Sequence, residues 1–171
     1  MADQTPGTAD ELSTSFETFV QLNGRALGGF ALLITGDRQA AQDAVQEALI
    51  GAYPRWSRIS ANGNPLAYVR RSIVNQHISM HRKLWRLVAL GDQQGVIADP
   101  SAELVGRDWA LRLIGRLPER QRVAVVLRVI EGEDFADIAG VMGVTEANAR
   151  KLVSRGLAAL RRRLEEGNHD D

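Results

Sequence analysis

The sequence predicts an all-α fold: two small helical domains joined by a flexible linker. Three observations carry this. Apolar residues recur at helical spacing through most of the chain, and strand-type alternation is nearly absent. Between Leu90 and Ser101 the period lapses into turn formers, GDQQG and then Asp99-Pro100. A length of 171 residues accommodates two small domains as readily as one. The expected layout is a disordered start over 1–13, a first domain over 14–88 and a linker over 89–102. A second domain over 103–165 and a polar tail over 166–171 complete it.

In chain order, Thr14-Ser15-Phe16-Glu17 fits a capping box, and Phe16, Phe19, Val20, Leu27, Phe30 and Ala31 form one apolar stripe. Gly24, Gly28 and Gly29 each weaken that helix by up to about 1 kcal/mol relative to alanine, so tertiary packing must hold it. Gly36-Asp37 breaks and restarts the chain. Ala41, Ala44, Val45, Ala48, Leu49 and Ala52 then mark the buried face of a second helix, which Pro54 kinks or ends, with Tyr53 and Trp56 packing beyond. Ser57 to Asn64 reads as a turn-rich loop, and Pro65 suits the first turn of a third helix running to about Lys83, with Leu66, Val69, Ile73 and Met80 inward.

The second half begins with a helix around Glu103 to Gly115, followed by Leu117-Pro118 and a helix to Ile130. Phe135, Ile138, Ala139 and Met142 then recur at helical spacing, and Gly143 sits where the chain must reverse. Thr145 can cap a last helix whose Ala149, Leu152, Val153, Gly156 and Leu160 share one face. That is the pattern of a helix-turn-helix. Arg150, Lys151 and Arg155 lie on the other faces of the last helix, with no acid from Ala147 to Leu164. A helix in the major groove of DNA needs this: base-edge donors near its start and phosphate-neutralising cations along it.

Formal net charge is zero, but its distribution is uneven. Arg70, Arg71, Arg82, Lys83 and Arg86 form one acid-free block, and Arg150 to Arg163 forms another. The first sixty residues lean acidic, which suggests two nucleic-acid contacts and a protein contact. There is no cysteine, so disulfides and cysteine-ligated zinc are excluded within the chain. The polar, acidic N-terminus is not a secretory signal and no run approaches a membrane span, so a cytoplasmic protein without membrane insertion is expected.

Three constellations could carry function. Asp43, Gln46 and Glu47 share a face opposite the buried stripe of their helix, either a solvated surface or a docking face. His77 and His81 have metal-ligand spacing, but no carboxylate completes an HExxH pattern and Arg82-Lys83 follows. No metal, no cofactor and no catalytic residue is therefore expected. Arg70, Arg71, Asn75, Arg82 and Lys83, with Tyr68, Trp56 and Trp85 nearby, combine cations, an amide and rings, the chemistry of single-stranded nucleic-acid binding.

The chain resembles bacterial RNA polymerase sigma factors of the extracytoplasmic-function class, most closely an actinobacterial-type branch. The resemblance is carried by GDRQAAQDAVQEALIGAYPRW (Gly36 to Trp56), NPLAYVRRSIVNQHISMHRK (Asn64 to Lys83) and the segment from Leu117 to Leu164. It implies that the first domain is sigma region 2 and the second sigma region 4. Asp43, Gln46 and Glu47 would then meet the clamp coiled coil of core RNA polymerase, and region 4 its flap. The melted non-template strand of the minus-ten element would be held by Trp56, Ser57, Asn62, Tyr68, Arg70, Arg71, Asn75, His77, Arg82 and Lys83. The upstream minus-thirty-five duplex would meet Arg128, Thr145, Glu146, Asn148, Arg150, Lys151, Ser154 and Arg155. An anti-sigma factor is a candidate further partner. Two departures stand out: Pro54 interrupts a helix often continuous in relatives, and Leu66-Ala67-Tyr68 replaces a phenylalanine and tryptophan found in many. The competing readings are a stand-alone helix-turn-helix regulator, which would bind palindromic duplex without polymerase, and a helical metalloenzyme built on His77 and His81.

Overall fold

The structure, a computed structural model, describes residues 9–88 and 109–167, all organised as helices and short turns. The helices are α1 (Ala9–Thr35), α2 (Arg38–Ala52), α3 (Trp56–Ala61), α4 (Pro65–Val88), α5 (Trp109–Gly115), α6 (Glu119–Val129), α7 (Phe135–Met142) and α8 (Glu146–Gly167), with a 3₁₀ turn at Tyr53–Arg55. The linker expected over 89–102 and most of the disordered start expected over 1–13 lie outside the described residues.

Local chemistry sets the breaks. Gly36 takes φ 72°, a left-handed conformation that glycine adopts without strain, and Asp37 then caps α2 by accepting from the Ala40 N–H at 2.8 Å. Pro54 does end α2, and the chain passes through the 3₁₀ turn into α3. Asp134 caps α7 through the Asp137 N–H at 2.8 Å, and Gly143, at φ 66°, closes it. Thr145 accepts from the Asn148 N–H at 3.2 Å and opens α8.

Four expectations change. α1 begins at Ala9, so the helix runs straight through the expected capping box at Thr14 and into the expected disordered start. Ser57 to Ala61 is helical, leaving a turn only at 62–64. Met80 is 79% exposed rather than inward, because the buried stripe of α4 runs through Val69, Ile73, Val74, His77 and Ile78. The tail begins later, since α8 continues to Gly167.

The buried stripes of α1, α2 and α4 meet through Leu27, Ile34, Ala48 and Ile73. Those of α6, α7 and α8 meet through Val123, Leu127, Ile138 and Val153. Burying a Leu, Ile or Val side chain contributes about 1.5–3 kcal/mol, which offsets the glycine penalties of α1. Gly156 lets α8 approach α6 closely: a Cβ there would stand 2.6 Å from a Val125 methyl. The two halves also pack on each other and share one core. Arg122 of α6 is one of the residues that join them. It is 3% exposed and donates at 3.3 Å to the carbonyls of Gly115, Leu117 and Ile34, the last belonging to α1. The Ile34 and Gly115 carbonyls, at the C-terminal ends of α1 and α5, thus receive a cation. Burial lowers the Arg122 pKa, and the charge of Glu119 counters it.

Candidate nucleic-acid interface

α8 presents an exposed polar and basic face. Ala149, Val153 and Gly156 are buried against α6 and α7, which turns Thr145, Glu146, Asn148, Arg150, Lys151, Ser154 and Arg155 outward, all exposed. Arg128, at the end of α6, joins them. Its guanidinium lies 5.0 Å from the Phe135 ring centroid and that of Arg150 4.4 Å from the same centroid, so one ring gathers two cations. Arg128 also donates to the Glu133 carbonyl at 2.9 Å, and Arg150 pairs with Glu146 one turn earlier. Phe135 as an organiser of two arginines could not be read from the sequence, where it was one member of an apolar period.

The second surface runs along α4. Tyr68, Asn75 and Arg82 are exposed and Arg71 is half-buried, a stripe at helical spacing with Ser57 and Asn62 exposed nearby. Lys83 follows on the same helix, its side chain outside what the structure describes. Two expected members do not belong to this surface. Trp56 is 3% exposed, edge-on to Phe16 with ring centroids 5.0 Å apart, and its Nε1–H donates to Ser15 Oγ at 3.2 Å. His77 is 4% exposed. Both are core residues here, because α1 and α6 cover them.

Three cations of α4 are engaged by the second half of the chain. Arg70 lies 3.6 Å from Glu131, Arg71 pairs with Glu133, and Arg82 reaches the Val141 carbonyl at 3.4 Å. Burial raises the Glu131 pKa, Arg70 lowers it and the Glu133 charge raises it again. A polar cleft between α4 and α7 holds Asn75 and Ser79 opposite Asp137. Acids of the second half thus pair with cations of α4.

On α2, Asp43, Gln46 and Glu47 are exposed opposite buried Ala41, Ala48 and Ala52, and Asp43 accepts from Gln39 at 3.0 Å. Beside them an apolar groove between α1 and α2 is lined by Leu32, Val45, Leu49, Ile50 and Tyr53. Ile50 is 60% and Tyr53 51% exposed. The sequence held a signal for Ile50, which falls off the buried stripe of its helix.

His77, His81 and Glu119 converge where α4 meets α6. Burial pushes the Glu119 carboxyl up, but the close approach of His77, with His81 and Trp85 adding, outweighs it and holds its pKa below the usual value.

Comparison with known families decides what these surfaces belong to. Residues 19–87 match Sigma-70 region 2, and residues 107–160 match Sigma-70, region 4. The chain belongs to the sigma-70 family. Among curated relatives, this sigma factor is 29% identical to the RNA polymerase sigma-E factor of Streptomyces avermitilis, over 91% of this chain and 88% of that one. It is 28% identical to the ECF RNA polymerase sigma factor SigM of Mycobacterium tuberculosis, over 88% and 77%. These relatives put the sigma factor in the extracytoplasmic-function class, with actinobacterial members among its relatives. A solved structure of the sigma factor RpoE in complex with the anti-sigma factor NepR, from Bartonella quintana, matches with a TM-score of 0.54 at 23% identity, covering 88% of this chain and 97% of that one. That likeness is one of fold. Region 2 thus contains α4 and its cationic stripe, and region 4 contains the helix-turn-helix of α7 and α8.

Proposed function

We propose that this sigma factor binds core RNA polymerase and directs promoter-specific initiation in the cytoplasm, without catalysing a reaction itself. The supporting observation is the presence, in one chain, of two separate cationic surfaces on matched regions 2 and 4: the exposed basic face of α8 and a stripe on α4 carrying an amide and cations. A stand-alone regulator needs only the first. In this reading residues 14–88 and 103–165 act as the two promoter-binding domains. Asp43, Gln46 and Glu47 dock the polymerase clamp, with Ile50 and Tyr53 adding an apolar margin. Arg71, Asn75 and Tyr68 take the melted non-template strand, and capture of unstacked bases offsets an opening cost of a few kcal/mol.

The two promoter elements, by the positions their names give, lie about 25 base pairs apart, roughly 85 Å of duplex. A compact chain of 171 residues is about 40 Å across. The packed arrangement therefore has to open before both elements are engaged, and opening releases Arg70 and Arg71 from Glu131 and Glu133. Tethering then lets two modest contacts act at high effective concentration. Permanganate footprinting with core polymerase tests this: thymines of the minus-ten element become reactive with the wild-type chain. A promoter bound but never melted would contradict the reading.

A further inference from the structure

His77 and His81 lie one turn apart on α4 and lack a carboxylate partner on their own helix. Folding supplies one from α6. Glu119 Oε1 is 2.8 Å from His77 Nε2 and 3.8 Å from His81 Nε2, and the three candidate donor atoms lie within 4.8 Å of one another. Donors bound tetrahedrally at about 2.0–2.1 Å from zinc stand roughly 3.3 Å apart, so small adjustments would complete the geometry.

Three details go beyond proximity. His77 is 4% exposed and its Nε2 stands 2.8 Å from Glu119 Oε1, so a buried ring nitrogen is aimed into the cluster. His81 Nδ1 lies 2.8 Å from the His77 carbonyl oxygen. A carbonyl only accepts, so Nδ1 carries a proton, and Nε2 is the ring nitrogen on the Glu119 side, the atom that would offer its lone pair to a metal. Trp85 Nε1–H donates to Glu119 Oε2 at 3.3 Å, orienting the carboxylate with Oε1 toward the histidines. The nearest buried cation, Arg122, is directed at backbone carbonyls, and Arg120 lies over the Trp85 ring, 5.8 Å from its centroid.

We propose that His77, His81 and Glu119 form a binding site for a divalent transition-metal ion of the zinc type, shared between region 2 and region 4. Two imidazoles and one carboxylate suit zinc, whereas magnesium and calcium favour all-oxygen sets. The fourth position is left for water. Because the donors come from both regions, the ion binds the packed arrangement and not the separated one, and so holds the two regions together.

The test uses the full chain, freed of any affinity tag, titrated with Co(II) and followed by visible absorption. The bands of a four-coordinate site should saturate at one equivalent and be bleached by one equivalent of Zn(II). His81→Ala and Glu119→Gln should each weaken Co(II) binding at least about tenfold with helical circular dichroism retained. His169→Ala, which removes the third histidine of the chain, should leave the titration unchanged. A titration that never saturates, or that is the same in Glu119→Gln, or that is lost in His169→Ala, overturns the site. The chain has no cysteine, so Gln42→Cys with Arg162→Cys allows specific labelling of the two halves. Zn(II) should increase energy transfer between these labels in the otherwise wild-type chain and not with Glu119→Gln. An equal response in both overturns the bridging role.

Discussion

Arg150 stands one turn into α8, exposed, with its guanidinium steadied by Glu146 and by the face of Phe135. On the proposed reading that position meets base edges, whereas Arg162, four turns along, meets phosphate. A bidentate arginine–guanine contact discriminates by about 1–3 kcal/mol, while a phosphate contact adds affinity without sequence preference. Arg150→Ala should therefore relax base preference in the upstream element, and Arg162→Ala should weaken all promoters alike and flatten the salt dependence. Selection from randomised upstream elements separates the two, and an unchanged preference with Arg150→Ala removes that residue from direct readout. Gly156→Ala probes packing: its Cβ would stand 2.6 Å from Val125, and overpacking of this kind costs about 1–3 kcal/mol, measurable by urea unfolding. Single residues were the least legible level of the sequence. Trp56 reads equally as a base platform or as core, and only Phe16 and Phe19, some forty residues earlier, decide for core.

Helices were far more legible, because their signals are local. The α2 stripe, the Gly36-Asp37 break, the Pro54 stop and the α7–Gly143–α8 reversal all follow from periodicity and capping within a few residues. The start of α1 was misplaced because a good internal cap at Thr14 does not stop a helix that continues on its N-terminal side. Two predictions belong at this level. Asp43→Arg with Glu47→Arg reverses the charge of the exposed α2 face without touching buried Ala41 or Ala48, so helical circular dichroism should persist while co-purification with core polymerase is lost. Retained binding would remove α2 from the docking face. Asn75→Ala or Arg71→Ala should impair promoter opening more than initial duplex binding, and a pre-melted bubble should restore most of the loss. A defect that persists undiminished on the bubble argues against strand capture by α4.

The packing of region 4 on region 2 was not legible at all. The contacts that make it, Arg71 with Glu133 and Arg122 with the Ile34 carbonyl, join residues 62 and 88 positions apart, and no periodicity records such a pairing. The two basic blocks were visible as sequence; that acids of one half would neutralise cations of the other was not. One consequence can be measured on the free chain. On the proposed role of Arg71 in strand capture, Glu133 would compete with nucleic acid for it; the pair is partly exposed and of modest strength, so Glu133→Gln should tighten binding of a single-stranded minus-ten oligonucleotide by about two- to fivefold in fluorescence anisotropy. Unchanged affinity would mean that the pair does not compete. The central claim, that both surfaces serve polymerase-dependent initiation, is tested most directly by run-off transcription on a genomic promoter library with core polymerase. Transcripts should start at a restricted promoter set with the chain present, be absent with core alone and be lost with Asp43→Arg/Glu47→Arg. Specific duplex binding without polymerase, together with no chain-dependent transcripts, would contradict the account.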